Sequence, residues 1–130
     1  GCVEAEQFMF AALKLAPHDA DTVLNCASYI WEKRGDGERA RRMVLRVLQA
    51  NPLNVEALSQ YALMELRMKS NIDGALGIME RALGLQPGNE GLTEGLEWFK
   101  EQKKEMRARE EEQIRQEMLQ EDQARPDKGA

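Results

Sequence analysis

ANPLNVEAL, residues 50–58, sets Pro52 inside sequence that otherwise forms helix readily. Proline has no backbone N–H and its ring collides with the preceding turn, so a helix ends just before it and another starts just after. The stretch therefore predicts a corner between two helices. The corner recurs: ALKLAPHD (12–19), VLQANPLN (47–54) and ALGLQPGN (82–89) place Pro17, Pro52 and Pro87 at intervals of 35 residues. Small residues stand twelve positions before each proline, at Ala5, Ala40 and Ala75, and small or β-branched ones five before, at Ala12, Val47 and Ala82. An alanine at a fixed helical site lets a neighbouring backbone come close, as antiparallel helix pairs require.

Each interval breaks again near its centre, at Arg34–Gly35–Asp36–Gly37 and at Lys69–Ser70–Asn71–Ile72–Asp73. Gly and Asn there supply the backbone geometry of a helix end, while Asp and Ser accept from the first N–H groups of the next helix. Each unit is thus a helical hairpin, with helices expected at about 3–15, 20–34, 37–50, 54–69, 72–86 and 89–122. Apolar residues fall at i, i+3, i+4, i+7: Val23, Cys26, Ala27 and Ile30, then Leu58, Tyr61, Ala62 and Glu65 or Leu66. Second helices carry Ala40, Met43, Val44, Val47 and Leu48, then Ala75, Ile78, Met79, Ala82 and Leu83. The methionines among them read as core filler.

The fold class that follows is all-α: antiparallel helix pairs stacked into an α-solenoid. Residues 1–19 supply the second helix of a partial unit, 20–53 and 54–88 two full units, 89–100 a capping helix and 101–130 a charged helical extension with a frayed end. Since the chain opens mid-unit, further chain or a partner is expected over its N-terminal face. In the cap, Leu92, Leu96, Trp98 and Phe99 form the apolar side, and Gly91 and Gly95 allow close approach to the last hairpin. The extension should be a mostly exposed helix with i, i+4 pairs Glu105–Arg109, Arg107–Glu111 and Glu111–Arg115. Its apolar residues, Met106, Ile114, Met118 and Leu119, are too sparse for a coiled coil.

At 130 residues, with 42% hydrophobic and 32% charged residues and a net charge of −5, the chain is one domain with no global attraction for nucleic acid or anionic membrane. No apolar run approaches the ~18 residues of a membrane helix, and no signal-peptide pattern opens the chain. Cys2 and Cys26 are far apart without a CxxC, which favours a reducing intracellular compartment, the cytoplasm by default. His18 stands alone in an inter-helix turn and Cys26 at a core-type position. With no convergent ligands, nucleotide loop or serine elbow, neither catalysis, a metal nor a cofactor is expected.

These residues resemble tetratricopeptide repeats, helix–turn–helix units with small residues at two second-helix sites and a closing proline. The spacing here is one residue longer; Val23 and Leu58 replace the family's bulky first-helix residue, and Ala27 and Ala62 its following glycine. The half-a-tetratricopeptide variant is echoed by Tyr61–Ala62, Glu65, Asn71, Ala75, Ile78 and Glu80–Arg81–Ala82–Leu83, and by Tyr29, Trp31–Glu32, Gly35–Asp36 and Ala40–Arg41. The first resemblance implies that the helix pairs wind into a right-handed superhelix and serve as a protein-binding scaffold within a larger complex. The second implies a component of RNA-processing complexes. Regular closing prolines favour the first.

In such superhelices first helices line the concave groove, which assigns it Leu24, Asn25, Ser28, Trp31 and Glu32, then Ser59, Gln60, Leu63, Leu66 and Arg67. Partly apolar stripes of this kind suit a helix or extended peptide from another protein; alternatively Trp31 and Leu66 only cover the next hairpin. Of the Lys, Asn and Arg set with which some members grip a C-terminal carboxylate, only Asn25 is present. Six cations lie between Lys33 and Arg46: Lys33, Arg34, Arg39, Arg41, Arg42 and Arg46. They could hold an anionic partner, phosphate or nucleic acid included, but Glu32, Asp36 and Glu38 interleave them and favour a solvated, salt-bridged face.

Overall fold

The computed structural model describes residues 2–125 and contains six helices: α1 (Cys2–Leu15), α2 (Ala20–Arg34), α3 (Gly37–Ala50), α4 (Val55–Lys69), α5 (Ile72–Leu85) and α6 (Glu90–Ala124). Among the described residues there is no strand. The expected fraying beyond Arg125 lies outside them.

The three prolines occupy equivalent corners. Asp19 N–H donates to the Ala16 carbonyl at 3.2 Å, Asn54 to Asn51 at 3.2 Å and Asn89 to Gln86 at 3.0 Å, closing four-residue turns with proline second. The fourth residue of each turn then caps the next helix: Asp19 accepts from Thr22 N–H, Asn54 from Ala57 and Asn89 from Leu92, at 3.0–3.1 Å. A single Asp or Asn thus ends each turn and satisfies an orphan donor of the following helix.

The mid-unit turns also match. Gly35 takes the left-handed conformation at φ 68°, and Asp36 N–H reaches back six residues to the Ile30 carbonyl at 3.2 Å. In the next unit Asn71 N–H reaches Glu65 at 3.0 Å, and the left-handed residue is Ser70, at φ 53°, rather than the expected Gly or Asn. Asn71 is one place later because its side chain is needed as the cap of α5, accepting from Gly74 N–H at 3.0 Å.

Two buried clusters share α4. Val23, Leu24, Ala27, Ile30, Ala40, Val44 and Val47 pack with Ala57 and Met64; on the other side of α4, Leu58 and Ala62 pack with Ala75, Met79, Ala82, Leu92, Leu96 and Phe99. Ala27, Ala40, Ala62, Ala75 and Ala82 are wholly enclosed, as the repeat demands. In α1 the corresponding Ala5 and Ala12 are exposed. Each helix packs on the next in chain order, which leaves α1 and α6 at opposite ends of the stack.

Only the first part of α6 is docked. A Cβ on Gly95 would come within 2.9 Å of the Met79 methyl, so Gly95 permits the close approach to α5; Gly91 faces only its own Asn89 cap. From Arg107 to Arg125 every side chain is exposed. The ion pairs formed along α6 itself are Lys100–Glu97 and Arg115–Glu112, at i, i+3 rather than i, i+4, and Arg109 donates to the Glu105 carbonyl.

Candidate functional site

The helices that open each unit, α2 and α4, together with α6, form one layer, and a 35-residue step carries Ser28 to Leu63 and Leu63 to Trp98. Trp98 is therefore the groove position of a third unit, which the sequence reading placed with the cap. It is 43% exposed and makes a T-shaped contact with the buried Phe99, ring centroids 5.0 Å apart, so its ring is braced while part of it stays open to solvent. Leu66, Arg67, Ser70, Trp98, Gln102 and Met106 line a groove of about 560 Å³ between α4 and α6, with Arg109 and Glu110 at its far end.

Arg67 reaches over the Trp31 ring, 5.7 Å from its centre, and links α2 to α4 along this layer. Neither Arg67 nor Arg109 has a carboxylate within ion-pair distance among the described residues. An apolar wall flanked by uncompensated guanidinium groups favours an apolar side chain bracketed by carboxylates.

The other expected groove residues divide. Asn25 and Glu32 are exposed, while Ser28, Trp31, Ser59, Gln60, Leu63 and Leu66 are half-buried. Ser59 spends its hydroxyl on the Val55 carbonyl at 2.9 Å, and the Gln60 Oε1 is enclosed without a hydrogen-bond partner. Leu24 is a correction: at 1% exposure it belongs to the core with Ala57 and Met64 of α4 and is closed to a partner. Trp31 also packs against that cluster, as do Leu63 and Leu66 against the second, so each has one side in the core.

The cationic stretch separates likewise. Arg34 pairs with Glu6 of α1 and lies over the Phe10 ring. Arg41 is turned inward: it lies 5.8 Å from the Tyr61 ring centre and 3.9 Å from the buried Glu65 carboxylate, so it is no part of an open patch. Lys33 is exposed. Arg39, Arg42 and Arg46 stay together, lining a depression of about 440 Å³ with Leu13, Pro17, Val23 and Met43. The acidic residues expected to neutralise them do not: Asp36 caps α3 at Arg39 N–H, 3.2 Å away, and neither Glu32 nor Glu38 pairs with an arginine.

Cys26 is buried, its thiol pushed up by desolvation and directed at the Met9 carbonyl, 3.5 Å away. His18 is exposed in the first corner. Among the described residues no three His, Cys, Asp or Glu converge, and no helix is long and apolar enough to cross a membrane.

No protein-family model matches the chain, and no curated protein does. Solved structures do. The Sgt2 TPR domain from Aspergillus fumigatus superposes with a TM-score of 0.63 at 21% identity, over 82% of this chain and 70% of that one. Two structures of a MamA point mutant superpose with a TM-score of 0.53 at 22% and 21% identity, over 78% of this chain and 56% and 59% of theirs. The likeness is one of fold: like the Sgt2 TPR domain, the chain is an all-α solenoid of stacked helix pairs.

Proposed function

We propose that the chain is a non-catalytic interaction module of a larger assembly, taking an amphipathic helix or extended peptide of another protein along the groove of α2, α4 and α6. The observation that carries this is the half-exposed Trp98 beside Leu66 and Met106, with Arg67 and Arg109 at the edges, neither in ion-pair range of a carboxylate among the described residues. Such a surface holds an apolar anchor in a partly desolvated pocket, with charge at the rim setting the register. Asn25, Ser28, Glu32, Ser59, Gln60 and Leu63 extend the groove toward α2. Fold likeness to protein-interaction repeats supports the reading at the level of class.

The test is selection of a random peptide library displayed on phage against the intact chain. Peptides pairing an apolar residue with nearby carboxylates should be enriched, and they should lose at least ~10-fold in affinity, about 1.4 kcal/mol, on Trp98→Ala or Arg67→Glu. Enrichment that is indifferent to both substitutions would count against the groove.

A further inference from the structure

We propose that the chain associates head to tail with copies of itself, the outer half of α6 from one copy lying on the Arg39, Arg42 and Arg46 face of the next. This surface is separate from the α4–α6 groove. Two charged faces are left largely unneutralised within one chain, although Arg39 of the first also lies over the Phe10 ring, 6.0 Å from its centre. On α3, three guanidinium groups at i, i+3 and i+7 surround the apolar side chains of Leu13, Val23 and Met43, with no carboxylate in ion-pair range among the described residues. Like charges kept together on a partly apolar floor favour an acidic segment that also brings apolar groups.

The outer half of α6 has that composition. Ile114, Met118 and Leu119 are 55%, 63% and 56% exposed. Between Glu110 and Asp122 six carboxylates accompany a single cation, Arg115, which is already paired with Glu112. Glu111, Ile114, Met118 and Glu121 fall at i, i+3, i+7 and i+10, so carboxylates bracket the apolar pair on one face of the helix. The helix extends well past the last side chain it packs on α5, which leaves this segment free to lie along another body.

The stacking order holds the two faces apart within one chain, because α6 packs on α5, and α4 and α5 stand between it and α3. A second copy brings the complementary face at equal concentration. The contact joins unlike surfaces, so each copy keeps one of each free and association continues past the dimer. One helix segment on a shallow depression makes a small interface, of the class below about 1,200 Å², and the association is correspondingly weak and salt-sensitive.

Sedimentation velocity on the intact chain tests this, from about 10 to 500 µM, at low salt and at roughly 0.5 M NaCl, a range set by weak, screened interfaces. Average mass should climb with concentration at low salt and fall back to the monomer at high salt. R39E/R42E/R46E and, separately, E111K/E121K/D122K should each stay monomeric, and an equimolar mixture of the two should associate again. That rescue requires both variants to be folded, and the second alters only exposed residues of α6. A wild-type chain that is monomeric throughout, reversed variants that associate as it does, or a mixture without rescue would each overturn the proposal. So would binding of an oligouridylate by a monomeric wild-type chain that is lost in R39E/R42E/R46E, since the patch would then be a nucleic-acid site.

Discussion

Asn71 joins two helices with one side chain: its Nδ2 donates to Glu65 Oε2 at 3.2 Å while its Oδ1 accepts from Gly74 N–H at 3.0 Å. Glu65 is only 7% exposed, and its other oxygen faces Arg41 of α3. The carboxylate therefore ties α3, α4 and the start of α5 around the mid-unit turn. Removing it strands Arg41, whose Nε is already enclosed without a partner, and half of Asn71. Glu65→Ala should cost about 2 kcal/mol, whereas Glu65→Gln, which still accepts from Asn71, should cost about half as much. Urea melts of both variants check the ordering; equal losses would show that the carboxylate acts only by filling space.

Ser70 holds a left-handed backbone that costs a side-chain-bearing residue about 1 kcal/mol and glycine almost nothing. Gly35 fills the same site one unit earlier. The added freedom of the unfolded chain takes back about half of that or more, so Ser70→Gly should stabilise the fold by up to about 0.5 kcal/mol, a rise of about 2 °C in Tm. A thermal scan showing a lower Tm would mean that the Ser70 side chain makes a contact outweighing its strain.

How far the sequence could be read depends on what its signals encode. Pro17, Pro52 and Pro87 act through local sterics, so corners and helix ends could be placed from them to within a residue or two. Leu24 shows where that stops. The 35-residue step equates it with Ser59, yet Leu24 is enclosed and Ser59 half-buried, because periodicity tells which residues share a face and not how much of that face the next helix covers. Arg41 and Arg42 are neighbours in a basic run, but the rotation of about 100° per residue of a helix sends the first toward Tyr61 and Glu65 and the second to the surface. Trp98 carried the signal that would have found it, its position two steps from Ser28. Its apolar character pointed instead to the core.

Lys103 of α6 donates to the exposed Asp73 at the start of α5, 2.7 Å away, and this hydrogen bond, with the attraction of the ammonium charge, holds the Asp73 carboxyl below the usual carboxylate range. A carboxylate whose pKa is lower in the folded chain favours folding above its unfolded value, near ~3.9, and loses that contribution as pH falls through the folded value. Asp19, held down by the Thr22 hydroxyl and N–H, acts in the same sense at the other end. Asp73→Asn should therefore lower the urea midpoint at about pH 6, and the gap between the two chains should narrow as the pH falls through the lowered value of the folded carboxyl. A gap that stays constant across the acid range would assign the effect to packing.

Ala5 and Ala40 stand at the same place in successive units, twelve residues before Pro17 and Pro52, but Ala40 is wholly enclosed by its neighbours and Ala5 is exposed. A larger side chain at Ala40 forces α2 and α3 apart, so Ala40→Leu should cost about 1–3 kcal/mol. Ala5→Leu adds its bulk to solvent and should change stability by less than about 0.5 kcal/mol in the isolated chain. The contrast isolates packing from helix propensity, because Ala→Leu is nearly neutral for both helices. A loss at Ala5 comparable to that at Ala40 in denaturant melts would show that a helix covers α1 in solution as α2 covers α3. Equal tolerance at both sites would remove the close approach of α2 and α3 on which the 35-residue stacking rests.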